Sequence, residues 1–201
     1  MNTTFSISEE LSKSWETFKK HAWIFIGLFV GYAIVSVLVS LIPFGRILTL
    51  IVDSIFALGF TRIIFQAIDG EEPQFSAFGQ ESGKCLKQIG ASLLIGLLVL
   101  VGLILLVVPG IYVALRLQFV TAVIVEENLG VIDSLKRSWE MTDGHVLQLF
   151  LLSLAILGLI IAGVICLGIG ILVAAPVAQI LTMYVYRKIN APSEMITEAA
   201  E

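Results

Sequence analysis

Charge is scarce in this sequence. Only 14% of its 201 residues are Asp, Glu, Lys or Arg, there are 2 His, and 58% are hydrophobic, with a mean hydropathy of +0.99. A soluble globular domain carries about 25% charged residues, so that class is excluded. Cysteine is scarcer still. Cys85 and Cys166 stand alone, without the paired spacing of a zinc or redox site, and neither is expected in a disulfide. There is no dense Lys/Arg block of the kind that reads lipid head groups, and the net charge of −4 argues against nucleic acid as a partner. The opening MNTTFSISEE has no basic n-region, so no cleaved signal peptide is expected.

What is abundant is uninterrupted apolar chain. Uncharged runs cover Ala22 to Gly45, Gln88 to Leu115 and Val146 to Tyr186, each at or above the roughly 18–20 residues that cross a bilayer. Helix breakers at IPFGR (42–46), VPG (108–110) and LGIG (167–170) cut them into six spans at about 22–43, 47–68, 89–108, 110–126, 146–167 and 170–189. The expected fold is therefore an all-α integral membrane domain over 1–190: six transmembrane helices as three helical hairpins, with a cytoplasmic tail at 191–201. Pro109 suits a first helical turn, and Pro176 predicts a kink in span 6.

The connecting polar segments carry Lys13, Lys19, Lys20, Lys84, Lys87, Lys136, Arg137, Arg187 and Lys188, against Arg46 alone on the opposite side. That asymmetry places both termini in the cytoplasm, with Trp15, Trp23 and Trp139 as interfacial anchors on the same side.

A repeat runs through these segments. ELSKSWETFKKH (10–21) returns as SLKRSWEMTDGH (134–145), with Leu, Ser-Trp-Glu and His in register. Ile7, Leu11, Trp15 and Phe18 fall on one helical face, as do Val131, Leu135 and Trp139, and Ser6 with Glu9 has capping-box spacing. Each copy predicts an amphipathic helix in the cytoplasmic interface, its Trp on the buried face. The copies precede spans 1 and 5 in the same orientation, giving repeat units at about 6–68 and 131–189. FSAFGQESGKCLKQ (75–88) sits in the equivalent place before span 3, without Ser-Trp-Glu, and would head a third unit at 75–126.

VVPGIYVALRLQFVTAVIVEENLGVIDSLKRSWEMT (107–142) has Pro109-Gly110 at a helix start, Glu126 or Glu127 and Gly130 after the span, and Lys136, Arg137 and Ser138 in the amphipathic helix. In these features it resembles the signature of uncharacterised bacterial integral membrane proteins of the YciC type. It is also similar to the membrane domain fused to some glycerophosphodiester phosphodiesterases. The resemblance implies a bacterial inner (cytoplasmic) membrane protein. No phosphodiesterase domain lies within these residues, so it implies no enzymatic activity.

Three charges interrupt the spans: Asp53 and Arg62 in span 2, Arg116 in span 4. The apolar residues of span 2 contribute about −4 to −8 kcal/mol on insertion scales, and two central charges oppose them by roughly 5–7 kcal/mol. Asp53 lies seven residues after Arg46 and Arg116 seven after Pro109, so each is about 10 Å deep from the same face. Equal depth predicts an Asp53–Arg116 pair joined by Gln179, with Arg62 snorkelling toward the cytoplasm. Two meanings stay open: a structural ion pair locking the bundle, or a polar cavity for an ion or small solute.

Catalysis and metal binding find no support in the motif. Glu16 and His21, like Glu140 and His145, are five residues apart and about 140° from one helical face. Ser14 and Ser138 are two turns from those His, too far for a nucleophile and its base. No catalytic residue, metal or cofactor is expected. Gly27 and Gly31, Ser36 and Ser40, and Gly158 with Ala162 predict close helix packing within the chain.

The expected function is non-enzymatic, with a structural, accessory or partner- and lipid-interacting role, the amphipathic helices being the working surface. Membrane lipids are the expected contacts, with a protein partner or a second copy as further options. The alternative is a transporter or permeation protein using Asp53, Arg116 and Gln179. Against it, no span is broken by a Gly/Pro pair at mid-membrane, and the chain is small for alternating access.

Overall fold

The computed structural model describes residues 6–43, 45–165 and 170–190; the expected tail 191–201, most of the LGIG turn, Cys166 and the Arg46 side chain lie outside them. Every regular element among the described residues is helical: α1 (Ile7–Lys20), α2 (Ala22–Ser40), α3 (Gly45–Ile68), α4 (Ser76–Glu81) with a 3-10 turn (Ser82–Lys84), α5 (Cys85–Leu105), α6 (Val107–Arg116), α7 (Val120–Glu126), α8 (Val131–Met141), α9 (Val146–Ile165) and α10 (Ile171–Asn190). Five stretches are long and apolar enough to cross a membrane: Ala22–Ser40, Ile47–Ile68, Ser76–Leu105, Val107–Glu126 and Val146–Ile165. α10 is as long as α9, but Gln179, Arg187 and Lys188 lower its hydropathy. It runs on through Pro176 as one helix.

Burial divides these helices into two sets. α2 buries only Phe25 and Leu28, whereas α10 buries nine side chains, Val177, Ile180, Leu181 and Tyr186 among them. α3, α7 and α10 are central: the Phe65 and Phe119 rings each lie 5.8 Å from that of Tyr186. α2, α5 and α9 are outer, with most of their Leu, Ile and Val exposed, the surface a hydrocarbon solvent leaves unburied.

The polar helices close this arrangement. α4 packs on α3, α8 on α7 and α1 on α10, so each lies against one of the central helices. α1 runs antiparallel to α10: Thr17 Oγ1 and Tyr184 Oη are 2.8 Å apart, and Lys188 donates to Glu10 at 2.9 Å, with Glu10 only 2% exposed.

This packing corrects the expected faces. α1 buries Glu10, Ser14 and Phe18 and α8 buries Ser134, Leu135 and Ser138, while Trp15 and Trp139 are 45% and 37% exposed. The Ser of each Ser-Trp pair is thus the contact residue. A helix standing against another helix needs a small side chain at the crossing, and the neighbouring Trp, about 100° round, faces outward.

The close-packing glycines also differ from expectation. A Cβ on Gly27, Gly31 or Gly158 would meet nothing within 4 Å, so these do not serve contacts within the chain. Tight approaches between helix backbones are at two far-end turns: a Cβ on Gly102 would lie 2.8 Å from the Gly110 Cα, and one on Gly163 would lie 3.0 Å from the Gly170 backbone, while Gly59 makes room for the Phe78 ring. Gly102→Leu should therefore lower the detergent-solubilised unfolding midpoint by the equivalent of about 1–3 kcal/mol. Gly27→Leu should leave it within about 0.5 kcal/mol.

Candidate functional site

Between α3, α7, α10 and the flank of α2 lies a cavity of about 360 Å³. Each inner helix places one threonine on it: Thr61, Thr121 and Thr182. Two glutamines, Gln118 and Gln179, stand three residues before the latter two, Gln179 on the same face of α10 as Thr182. Asp53 completes the polar lining, about 12 Å along α3 from Gly45. Its Oδ1 accepts a 2.8 Å hydrogen bond from Tyr32 Oη, and among the described residues no Lys, Arg or His forms an ion pair with it. Phe29, Tyr32, Phe56 and Phe60 form the aromatic wall.

Gln118 reaches the cavity because the fourth apolar stretch is broken. In a continuous helix the Arg116 carbonyl would accept from the Val120 N–H. Here it accepts from Ser138 Oγ at 2.8 Å and Thr142 Oγ1 at 3.3 Å, and Val120 N–H turns to Leu117 O. Residues 117–119 form a turn, with the Gln118 Nε2 buried and without a hydrogen-bond partner. No Gly or Pro marks the break; the signal is the serine of the second Ser-Trp-Glu copy.

A second chamber of about 300 Å³, between α3 and α5, shares Asp53 and Ala57 with the first and adds Ser54, Gln88 and Ser92. Gln88 Nε2 donates to Thr121 Oγ1 at 3.0 Å, and its Oε1 is buried without a partner. On the side of the polar connections, one turn beyond the threonines, Phe65 and Tyr186 close the first cavity. Beyond them Arg187 bridges Asp69 and Glu126, both at 2.8 Å, with its guanidinium over Phe65, so the ends of α3, α7 and α10 are tied together.

The expected cluster is only partly assembled. Asp53 and Gln179 line one cavity, but Arg116 does not join them. Its Nη2 pairs with Asp143 at 2.9 Å, and its guanidinium lies over the rings of Trp139 and Tyr112, at 4.7 and 5.5 Å from the centroids. Depth alone misplaced it: α6 ends at Arg116 with its side chain toward Trp139 and Asp143, and the turn at 117–119 brings Gln118 to the cavity instead. Arg62 forms no ion pair and its Nε is buried without a partner. Thr61, Gln88, Gln118, Thr121 and Thr182 were missed, although Gln-x-x-Thr at 118–121 and 179–182 is visible in the sequence.

Of the repeat motif, Trp139 serves the Arg116 clamp, Trp15 stacks on Phe18 at 5.8 Å, and Glu16 and Glu140 are exposed. His145 Nδ1 is 3.3 Å from Gln148 Oε1. His21, at the α1–α2 junction, has a buried Nε2 without a partner; burial, with a smaller contribution from Lys20, holds its pKa below the ordinary range, against an opposing Glu72.

The chain belongs to the family described as Protein of unknown function (DUF975), whose model matches residues 5–193. Searches of curated proteins and of solved structures gave no match. The resemblance to YciC-type proteins and to the phosphodiesterase membrane domain thus rests on residues 107–142 alone.

Two outcomes are expected. Arg116→Asp with Asp53→Arg should be no better folded than either single variant, whereas Arg116→Asp with Asp143→Arg should recover part of the loss, as read by monomer yield and melting. A depressed histidine stabilises the fold above the unfolded pKa of about 6.5 and loses that contribution as pH falls toward its folded value. His21→Gln should accordingly flatten the fall in melting temperature between about pH 7 and 5.

Proposed function

We propose that the chain is a non-enzymatic, six-span protein of the bacterial inner membrane that takes a small polar solute into the Asp53 cavity, as a transporter or permeation protein. One observation carries this: Asp53 is a carboxylate at membrane depth with no cationic partner among the described residues, Arg116 being engaged with Asp143 and Trp139. A charge at mid-bilayer costs about 2.5–3.5 kcal/mol on insertion scales and is retained where it acts on something. The break at 117–119 adds support, since irregular backbone at membrane depth occurs where it lines a cavity.

In this reading α10 is the sixth span, the pairs α2–α3, α5–α6/α7 and α9–α10 are hairpins, and three repeat units surround the cavity. The positive-inside asymmetry puts both termini, α1 and α8 in the cytoplasm. The accessory reading is less favoured: its working surfaces, α1 and α8, have their contact faces committed to α10 and to α6 and α7.

The test is water access. In a Cys85→Ser, Cys166→Ala background, Thr182→Cys and Gln179→Cys in native membranes should react with a small charged thiosulfonate reagent, and a lipid-facing Leu97→Cys should not. Protection at 53, 179 and 182 alike would sink the proposal.

A further inference from the structure

The lining of the Asp53 cavity specifies more than a polar solute. Tyr32 and Phe56 stack at 4.1 Å and 21°, and Phe56 and Phe60 at 5.2 Å and 17°, giving one stacked aromatic column with its ring edges outward. Phe29 stands nearly perpendicular to it, at 84° to Phe56 and 89° to Phe60. Two aromatic planes at right angles form a corner, and the Asp53 carboxylate is held beside it by Tyr32 Oη. Opposite stand the amides of Gln118 and Gln179 and the hydroxyls of Thr121 and Thr182.

An anion is disfavoured by Asp53. A divalent metal ion is disfavoured because Asp53 is the single acid on this cavity, and no three His, Cys, Asp or Glu converge among the described residues. An aromatic corner repays the lost hydration of an alkali ion poorly. It suits an ammonium bearing alkyl groups better, by apolar contact with those groups while the Asp53 carboxylate meets the charge. A volume of about 360 Å³ falls at the lower end of small-molecule pockets.

We infer that the cavity binds a small organic ammonium ion, its charge at Asp53, its alkyl groups in the Phe29–Phe56–Phe60 corner and its polar groups toward Gln118 and Gln179. This rests on the solute-binding reading above and names its substrate class.

The experiment is calorimetric titration of the full chain in lipid nanodiscs at fixed ionic strength, with tetraethylammonium, n-butylammonium, butyrate, n-butanol and potassium as probes. Both ammonium ions should bind, with the others at least 10-fold weaker. Asp53→Asn should weaken ammonium binding at least 10-fold and Phe56→Leu several-fold, and the wild-type probe series needs no variant to fold. Butyrate or n-butanol binding as tightly as the ammonium ions would overturn the ammonium assignment. If such a probe also protects Thr182→Cys from labelling, the solute-binding reading survives without it. If no probe binds while Thr182→Cys is labelled, the ammonium assignment fails alone. If Thr182→Cys is also inert, both fail.

Discussion

The hydrogen bond from Ser138 Oγ to the Arg116 carbonyl connects the outer architecture to the interior. A backbone carbonyl in hydrocarbon must find a donor, and α8 supplies one from outside α6. Freed from the α6 ladder, the chain turns at 117–119 and restarts as α7 with Gln118 and Thr121 toward the cavity. The same helix brings Trp139 over the Arg116 guanidinium and leads into Asp143, which pairs with it. One short amphipathic helix thereby fixes a backbone break, neutralises a buried cation and leaves Asp53 without the partner that depth alone would assign it.

The inner helices depend on equivalent supports. α4 and α1 pack against α3 and α10 as α8 packs against α7, so each of the three has a polar helix against it. Closure by α1 is the demanding step, because it joins the two ends of the chain through the Thr17–Tyr184 contact and the buried Glu10 with Lys188. A carboxylate only 2% exposed is tolerated there because two lysines surround it, Lys188 at 2.9 Å and Lys13 at 3.7 Å. The Asp69–Arg187–Glu126 bridge then ties α3, α7 and α10 below the aromatic layer, so the floor of the cavity is held by charge as well as packing.

Much of this was legible in the sequence, and the limits have physical causes. Apolar runs and breakers located the membrane-length helices because insertion is a summed property of a window, insensitive to which neighbour a residue meets. The Ser-Trp-Glu copies marked two equivalent helices for the same reason. Which face of those helices is buried was not legible: Trp is the more hydrophobic residue, but at a membrane boundary hydrophobicity no longer separates inside from outside, since lipid solvates Trp and helix contact favours Ser. Gly27 and Gly31 mislead in the same way, because a small-residue stripe states that close approach is possible and not that a partner exists. The Asp53–Arg116 pairing failed on azimuth. Depth is one coordinate of two, and the phase set by Gln118, Thr121, Gln179 and Thr182 supplies the other.

What remains is the charge balance at Asp53. An ionised carboxylate at this depth has three ways to be stabilised: a cationic side chain, a proton or a bound cation. Among the described residues the first is absent from its surroundings, since Arg116 is clamped by α8 and Arg62 forms no ion pair with it. A proton alone would satisfy the carboxyl but leaves the aromatic rings beside it without a role. A hydroxyl donor on one oxygen, an apolar aromatic lining beside it and amides across the cavity are complementary to a cation that carries carbon. The carboxylate is then the residue around which the other linings make chemical sense, and the helix break that excludes Arg116 is what keeps it available.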